Sequence, residues 1–185
     1  MTKSLKIDCN ENIILTQITL TDSIDIFNTI NTQREYLGKW LPFVEYTKEL
    51  KDSEYFVNSV INIPEEKMEF TFVIKYKDQF AGIIGIKSTE PLNKKTEIGY
   101  WLSEPFQNKG IMLRSVKCLI NYVFSVLDFN RIQIKVAVGN NKSSNIPKKL
   151  GFSFEGIERE GELSSNGKFF DIEVYSLLKK EFTEK

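Results

Sequence analysis

A polar loop that leads into a long apolar helix is the strongest chemical signal in this 185-residue chain. The loop runs from Gln107 to Met112 and follows the strand-like segment Ile98 to Leu102. The first turn of a helix leaves backbone N–H groups unpaired and carries partial positive charge, so it can bind a pyrophosphate. Gly110 would let a phosphate approach the backbone closely, and Lys109 adds positive charge. The same pattern also fits an ordinary loop with a capping glycine, since it is neither a Walker loop nor a GxGxxG fingerprint.

A second polar cluster, VGNNKSSNIPKKLGF, follows the next strand-like segment along the chain. It places Asn140 and Ser143 three residues apart at the start of a short helix. One interpretation is that a side chain of this pair caps the helix and does nothing more. The other is that Asn140 holds a cofactor and Ser143 stands near a reacting sulfur, and the residues alone leave both open.

Composition excludes several kinds of site. The chain has no histidine, which removes His-based triads and the commonest nitrogen ligand of zinc. Cys9 and Cys118 have neither metal spacing nor the spacing of a redox pair, and Cys118 is predicted to be a small buried thiol. Lys plus Arg equals Asp plus Glu at 25 each, so no nucleic-acid partner is expected, because such binding normally shows a basic surplus. No metal is expected either.

Length and hydropathy predict one domain over residues 1–185. Hydrophobic residues at 41% and charged residues at 27% are typical of a globular protein. The N-terminal segment lacks the apolar run of a signal peptide, and no segment approaches the ~20 apolar residues of a membrane span. We therefore expect a cytoplasmic protein with reduced cysteines and no membrane partner.

Hydrophobic periodicity predicts an α/β domain with a mixed sheet. Pro42 interrupts any helix between the first two predicted ones, and the turn Lys77-Asp78 predicts a hairpin. The predicted strands cover residues 12–20, 68–76, 79–88, 96–102, 131–138, 152–159 and 169–178, and the predicted helices cover 23–32, 50–62, 109–127 and 143–150.

The order of these segments resembles the GNAT acetyltransferase superfamily, specifically its RimJ/RimL branch of ribosomal-protein N-acetyltransferases. The resemblance covers nearly the whole chain, through REYLGKWLPFV, AGIIGI, EIGYWLSEPFQNKGIM, NRIQIKVAVGNNKSSNIPKKLGFSFEG and FFDIEVYSLLKKEF. It implies a GNAT (α+β) fold, in which helices flank a mostly antiparallel sheet of about seven strands and the fourth and fifth strands splay apart to hold acetyl-CoA. Asn108, Met112 and Arg114 depart from the family's usual residues, which affects the loop's side chains more than its main-chain donors.

The resemblance also implies the contacts with acetyl-CoA. Main-chain N–H groups of residues 107–112 would cradle the pyrophosphate, and the strand before them would pair with the pantetheine arm as one strand pairs with another. The implied cofactor-binding residues are Tyr100, Trp101, Leu102, Gln107, Asn108, Lys109, Gly110, Ile111, Met112, Asn140 and Ser143.

Acetyl transfer to an amine needs a neutral amine, a polarised thioester carbonyl and a proton for the departing thiolate. A backbone N–H near Leu102 is the predicted oxyanion donor. By resemblance, Ser143 is either the general acid on the sulfur or only a hydrogen-bond donor to the thiolate. Glu162 is either a base that acts through water or a solvated charge that orients the substrate; burial or positioning would have to help a carboxylate act on an amine.

Three residues are expected on the acceptor side by resemblance: Trp40, Phe43 and Asp171. The two aromatic residues fit a hydrophobic core equally well, and Asp171 fits a structural role. Tyr175 also matches a family position and is expected in the core.

Three functions therefore stay open. The acceptor is the N-terminal amine of a protein, such as a ribosomal protein, or it is a small amine such as a polyamine, amino sugar or amino acid. The third alternative is a CoA-binding module without turnover. A homodimer is also left open.

Overall fold

One open sheet of eight strands, in the order β1-β2-β3-β4-β5-β6-β8-β7, organises the computed structural model, which describes residues 5–182. The two ends of the predicted domain, 1–4 and 183–185, lie outside the described residues. The strands are β1 Lys6–Asn10, β2 Ile13–Gln17, β3 Phe70–Tyr76, β4 Gln79–Glu90, β5 Lys95–Leu102, β6 Arg131–Ala137, β7 Ser153–Leu163 and β8 Phe169–Leu178. The helices are α1 Ser23–Thr32, α2 Arg34–Gly38, α3 Leu50–Ile61, α4 Ile111–Ser125 and α5 Asn141–Lys149.

The predicted GNAT topology is confirmed, but the predicted count of about seven strands is one too low for residues 5–182. The missed strand is β1, which pairs antiparallel with β2. Its sequence KIDCN does alternate, but the strand is only five residues long and contributes just two partly inward side chains, Ile7 and Cys9, which is a weak signal. The only parallel pairing among the described strands joins β5 to β6, so the sheet is mostly antiparallel as expected.

Each face of the sheet packs against its own helices. Phe72 and Ile74 of β3 belong to the core shared with α4, whereas Val73 between them belongs to the core shared with α1 and α3. Successive side chains of a strand point to opposite faces, so a strand covered on both sides needs a nearly continuous apolar run. This explains the FTFVI segment of β3. The apolar stripe predicted on α4 is buried, with Val116 and Val123 both fully inaccessible.

The two cysteines form a disulfide, which contradicts the prediction that they make no redox pair. Cys9 on β1 is bonded to Cys118 on α4, with Cα atoms 5.5 Å apart and a separation of 109 positions in sequence. That separation carries no local spacing signal, and the strand that brings Cys9 to the helix was itself missed. The predicted buried thiol of Cys118 is therefore replaced by a covalent link between strand and helix.

The helices of residues 5–182 include none that is long and apolar enough to cross a membrane.

Candidate functional site

A gap between β5 and β6 opens at the centre of the sheet. The two strands pair only where Lys95–Glu97 lies beside Arg131–Gln133, yet both continue well beyond that stretch. These are the fourth and fifth strands of the sequence prediction, renumbered because of β1. Their predicted divergence is confirmed as part of the fold.

The free edge of β5 turns backbone groups into this gap. The Ser103 N–H donates to the Ala81 carbonyl of β4 at 2.8 Å. Hydrogen-bonded and non-hydrogen-bonded pairs alternate along an antiparallel ladder, so the neighbouring pair, Leu102 opposite Gly82, has its backbone groups turned away from β4. The N–H and C=O of Leu102 therefore face the side where β6 has diverged. A ligand with amide groups can pair with this edge as an added strand.

The loop before α4 supplies a second set of backbone donors beside the gap. Gly110 is the N-cap residue at φ +70°, and no described side chain caps this end of the helix. The first N–H of the helix to find a main-chain partner is that of Arg114, which donates to the Gly110 carbonyl at 3.1 Å. Asn108 also has positive φ, at +59°. The N–H groups of the first helical turn are thus available to an anion.

Arg114, one of the departures from the family pattern, braces this loop. Its Nη1 donates to the Lys109 carbonyl at 3.0 Å. A Cβ added to Gly110 would lie only 3.3 Å from the same Nη1. The left-handed backbone favours glycine here, and a larger residue would also require the guanidinium to shift slightly.

A cleft of about 530 Å³ joins the free edge of β5, the α4 loop and the start of α5. Every residue predicted to bind acetyl-CoA lines it except Lys109, whose ammonium lies 5.4 Å from the Phe106 ring centroid instead. The lining residues from that prediction are Tyr100, Trp101, Leu102, Gln107, Asn108, Gly110, Ile111, Met112, Asn140 and Ser143.

Ser143 lies in the cleft beside the partly buried phenol of Tyr100. The Tyr100 hydroxyl donates to the Ser143 carbonyl at 3.1 Å, and Ser143 Oγ lies 3.4 Å from the same hydroxyl. Burial raises the pKa of Tyr100, so the phenol stays neutral. Asn140 Oδ1 accepts the Ser143 N–H at 3.3 Å, so Asn140 caps α5 and also lines the cleft. The two interpretations of Asn140 are therefore compatible.

A second cleft, of about 710 Å³, adjoins the first. Four residues line both clefts and form their common wall: Tyr36, Trp40, Asn140 and Lys142. Trp40 is held there by Phe170 of β8, with ring centroids 6.0 Å apart. Phe43, predicted beside Trp40 on the acceptor side, is 42% exposed and lines neither cleft.

Glu162 and Asp171 do not reach these clefts. Both side chains are exposed on the hairpin formed by β7 and β8. Asp171 Oδ1 accepts the Glu160 N–H at 2.8 Å, where the ladder between the strands is irregular and Glu160 has φ +53°. Asp171 thus has a structural contact in the hairpin.

Tyr175 is buried, as expected, at 2% exposure. Its hydroxyl donates to Glu173 Oε2 at 2.7 Å. Burial and the nearby Glu173 carboxylate raise the pKa of Tyr175 to about 12.

Several polar residues at the clefts were missed from the sequence. Gln33 Oε1 accepts the Glu104 N–H at 2.8 Å, and its Nε2 donates to Ser103 Oγ at 2.9 Å, so α1 is tied to the turn after β5. Lys142 Nζ donates to Gln107 Oε1 at 2.6 Å across the first cleft. These partners are 35 to 71 positions apart in sequence, so no local sequence pattern predicts the contacts.

The Gln107 amide is incompletely paired. Its Nε2 is buried and makes no hydrogen bond of normal geometry within the described residues. A buried donor without an acceptor is costly, and a bound ligand would relieve that cost. The side chain therefore fits a polar ligand in the first cleft. No group of three or more Asp, Glu or Cys residues that could hold a metal ion occurs within residues 5–182.

Residues 12–153 match the family model described as an acetyltransferase (GNAT) domain. The chain is 33% identical over 179 residues to the putative ribosomal N-acetyltransferase YdaF of Bacillus subtilis (strain 168), with 94% of each chain covered. Its structure matches that of the microcin C7 self immunity acetyltransferase MccE in complex with acetyl-CoA and AMP, with a TM-score of 0.86, 29% identity, and 92% and 94% of the two chains covered. A RimL ribosomal L7/L12 alpha-N-protein acetyltransferase in complex with coenzyme A shares the fold, with a TM-score of 0.89, 24% identity, and 94% and 98% covered.

Proposed function

Because the chain belongs to the GNAT acetyltransferase family and uses acetyl-CoA to acetylate an amine, we propose that its acceptor is the N-terminal amine of a protein, a ribosomal protein in particular. The observation that carries this proposal is the pair of clefts with a common wall. The first cleft fits the cosubstrate, and the second gives a chain end access to the wall. The name of the Bacillus subtilis relative supports a ribosomal acceptor.

In this proposal the first cleft holds acetyl-CoA through backbone groups. The first-turn N–H groups of α4 and the Gln107–Met112 loop bind the pyrophosphate, and the free edge of β5 pairs with the pantetheine arm. Acetyl-CoA supplies the acetyl group as a thioester. The Leu102 N–H donates to the oxyanion that forms when the amine attacks the thioester carbon.

In the same proposal, Ser143 interacts with the leaving group, the thiolate of CoA. When the C–S bond breaks, its Oγ hydrogen-bonds the departing thiolate and passes it a proton, while the proton that the attacking amine releases restores the Ser143 hydroxyl. The Tyr100 hydroxyl lies 3.4 Å from Ser143 Oγ and is the next hydroxyl in the proposed hydrogen-bond chain. Capping alone remains the alternative role of Ser143.

Glu162 is proposed as a base only through intervening water, because its side chain lines neither cleft. In the alternative, it is a solvated charge that attracts the acceptor. Lys109, Phe43 and Asp171 likewise stay predictions as ligand contacts, and Trp40 is proposed to form the wall against which the acceptor lies.

A thiol-release assay with acetyl-CoA tests the acceptor class. We expect turnover with peptides that have a free N-terminus, and little turnover with polyamines, amino sugars or free amino acids. Turnover of small amines without peptides would overturn the proposal. Measurable CoA binding without turnover of any acceptor would identify a binding module.

A small amine-bearing molecule is the second candidate acceptor. It is supported by the likeness to MccE, a self immunity acetyltransferase whose structure is a complex with acetyl-CoA and AMP. The second cleft is of a size that would take such a ligand.

A further inference from the structure

Tyr36 on α2 makes a polar contact with the free edge of β5. Its hydroxyl donates to the Leu102 carbonyl at 3.2 Å. The two residues are 66 positions apart in sequence, and Tyr36 lines both clefts. The next residue, Leu37, is 3% exposed in the core beneath α1 and α3, so α2 is anchored and the phenol is held in place.

The Leu102 residue has two backbone groups at the gap with opposite chemistry. Its N–H suits the thioester oxygen, as proposed above. Its C=O is an acceptor, which suits the N–H of an approaching amine. The Tyr36 hydroxyl has one donor and two acceptor lone pairs, so it can keep its bond to the carbonyl and still accept from an amine.

The electrostatic surroundings of Tyr36 fit a cationic or neutral amine. Burial raises the pKa of Tyr36, the Glu104 carboxylate raises it further, and the Gln107 amide opposes both. The phenol is therefore uncharged at neutral pH. Glu104 also lines the second cleft, where its negative charge favours an ammonium group.

We infer that Tyr36 is an acceptor-binding residue, whose hydroxyl oxygen and the Leu102 carbonyl oxygen together hold the nitrogen of the incoming amine at the common wall of the two clefts. This inference rests on the proposed function, because it needs an amine acceptor. It assigns no proton transfer to Tyr36. The two oxygens fix where the nitrogen stands relative to the thioester, whose oxygen accepts from the N–H of the same Leu102 on the same side of β5.

The substitution Tyr36→Phe tests this role because it removes only the hydroxyl. We expect the KM for the amine to rise about tenfold, the loss typical of one hydrogen bond to a charged group, with kcat changed much less. The affinity for CoA and the thermal midpoint should stay near wild type. Tyr55→Phe, on α3 with 79% exposure, is the matched control and should change none of these quantities.

A second measurement separates nitrogen binding from general packing. A competitive inhibitor with a methyl group in place of the acceptor's amino group should bind wild type and Tyr36→Phe equally. An unchanged amine KM in Tyr36→Phe would overturn the inference, and so would an equal loss of affinity for amine and methyl analogue. If the wild type acetylates no amine at all, it is the proposed function that fails, and the Tyr36 variant is not needed to show it.

Discussion

Leu102 is the residue at which the proposed thioester and amine contacts meet. Its backbone groups face the gap because β5 loses its partner on that side after Glu97. No side chain is needed to present them. Two side-chain hydroxyls lie near the free edge of β5. The Ser143 hydroxyl contacts the Tyr100 hydroxyl on β5, and the Tyr36 hydroxyl donates to the Leu102 carbonyl. The chemistry of a chain without histidine can thus depend on hydroxyl and main-chain groups.

The roles of Ser143 and Glu162 can be separated by substitution. We expect Ser143→Ala to lower kcat by about 10- to 100-fold, with CoA affinity nearly unchanged, because a proton donor to the thiolate is lost. Glu162→Gln should also lower kcat if water links it to the amine. Steady-state kinetics and CoA titration give both quantities.

Ser59→Ala on the exposed face of α3 is the control for Ser143→Ala and should have wild-type kinetics. A kcat within twofold of wild type for Ser143→Ala would leave Ser143 with only its place in the cap of α5. The same result for Glu162→Gln would leave Glu162 a solvated charge.

At the scale of elements, the start of α4 carries the proposed cosubstrate site. The turn from β5 into α4 combines an uncapped helix with two residues of positive φ, Asn108 and Gly110. Such a backbone exposes N–H groups whatever the side chains are. The departures at Asn108, Met112 and Arg114 are therefore tolerable, and Arg114 even supports the loop.

The substitution Gly110→Ala tests that loop. Positive φ costs an L-residue about 1–2 kcal/mol, and the new Cβ would crowd Arg114, so we expect about a tenfold weaker CoA affinity and a lower thermal midpoint. Calorimetric titration with CoA measures the first quantity.

Gly167→Ala is the control for Gly110→Ala. Gly167 has φ +79°, and a Cβ there would meet nothing within 4 Å. The Gly167→Ala variant should lose about as much stability as Gly110→Ala, and its affinity for CoA should equal that of the wild type. Equal CoA affinities for the two variants would contradict the assignment of the loop to the pyrophosphate.

The sequence predicted what depends on local spacing. Strand alternation and the apolar stripe on α4 are patterns that recur every few residues, and the loop around Gly110 is one short segment. Each of these features lies where it was expected. Contacts made by folding were missed for the opposite reason. Tyr36 and Leu102 are 66 positions apart in sequence, and Cys9 and Cys118 are 109 positions apart. A local sequence pattern therefore could not predict either contact.

At the scale of the whole molecule, the disulfide ties the first strand to α4, the helix at whose start the cosubstrate is proposed to bind. Closing so long a loop restricts the unfolded chain, which typically stabilises a fold by about 2–4 kcal/mol. We expect reductant to lower the thermal midpoint of unfolding by roughly 5–10 °C in a chain of this size.

Cys9→Ser is the control for the disulfide. Its midpoint should already be low and should not respond to reductant. Two titratable thiols in the native protein, with a midpoint indifferent to reductant, would instead restore the expectation of reduced cysteines. The cytoplasmic location stays a prediction that cell fractionation can test. Light scattering can test whether the protein forms a homodimer.

The most direct test of the account is to locate the acetyl group on a peptide that has both a free N-terminus and an internal lysine, after incubation with acetyl-CoA. We expect fragmentation mass spectrometry to find the acetyl group on the α-amine. A peptide modified on lysine, or left unmodified while small amines are consumed, would contradict the proposed acceptor.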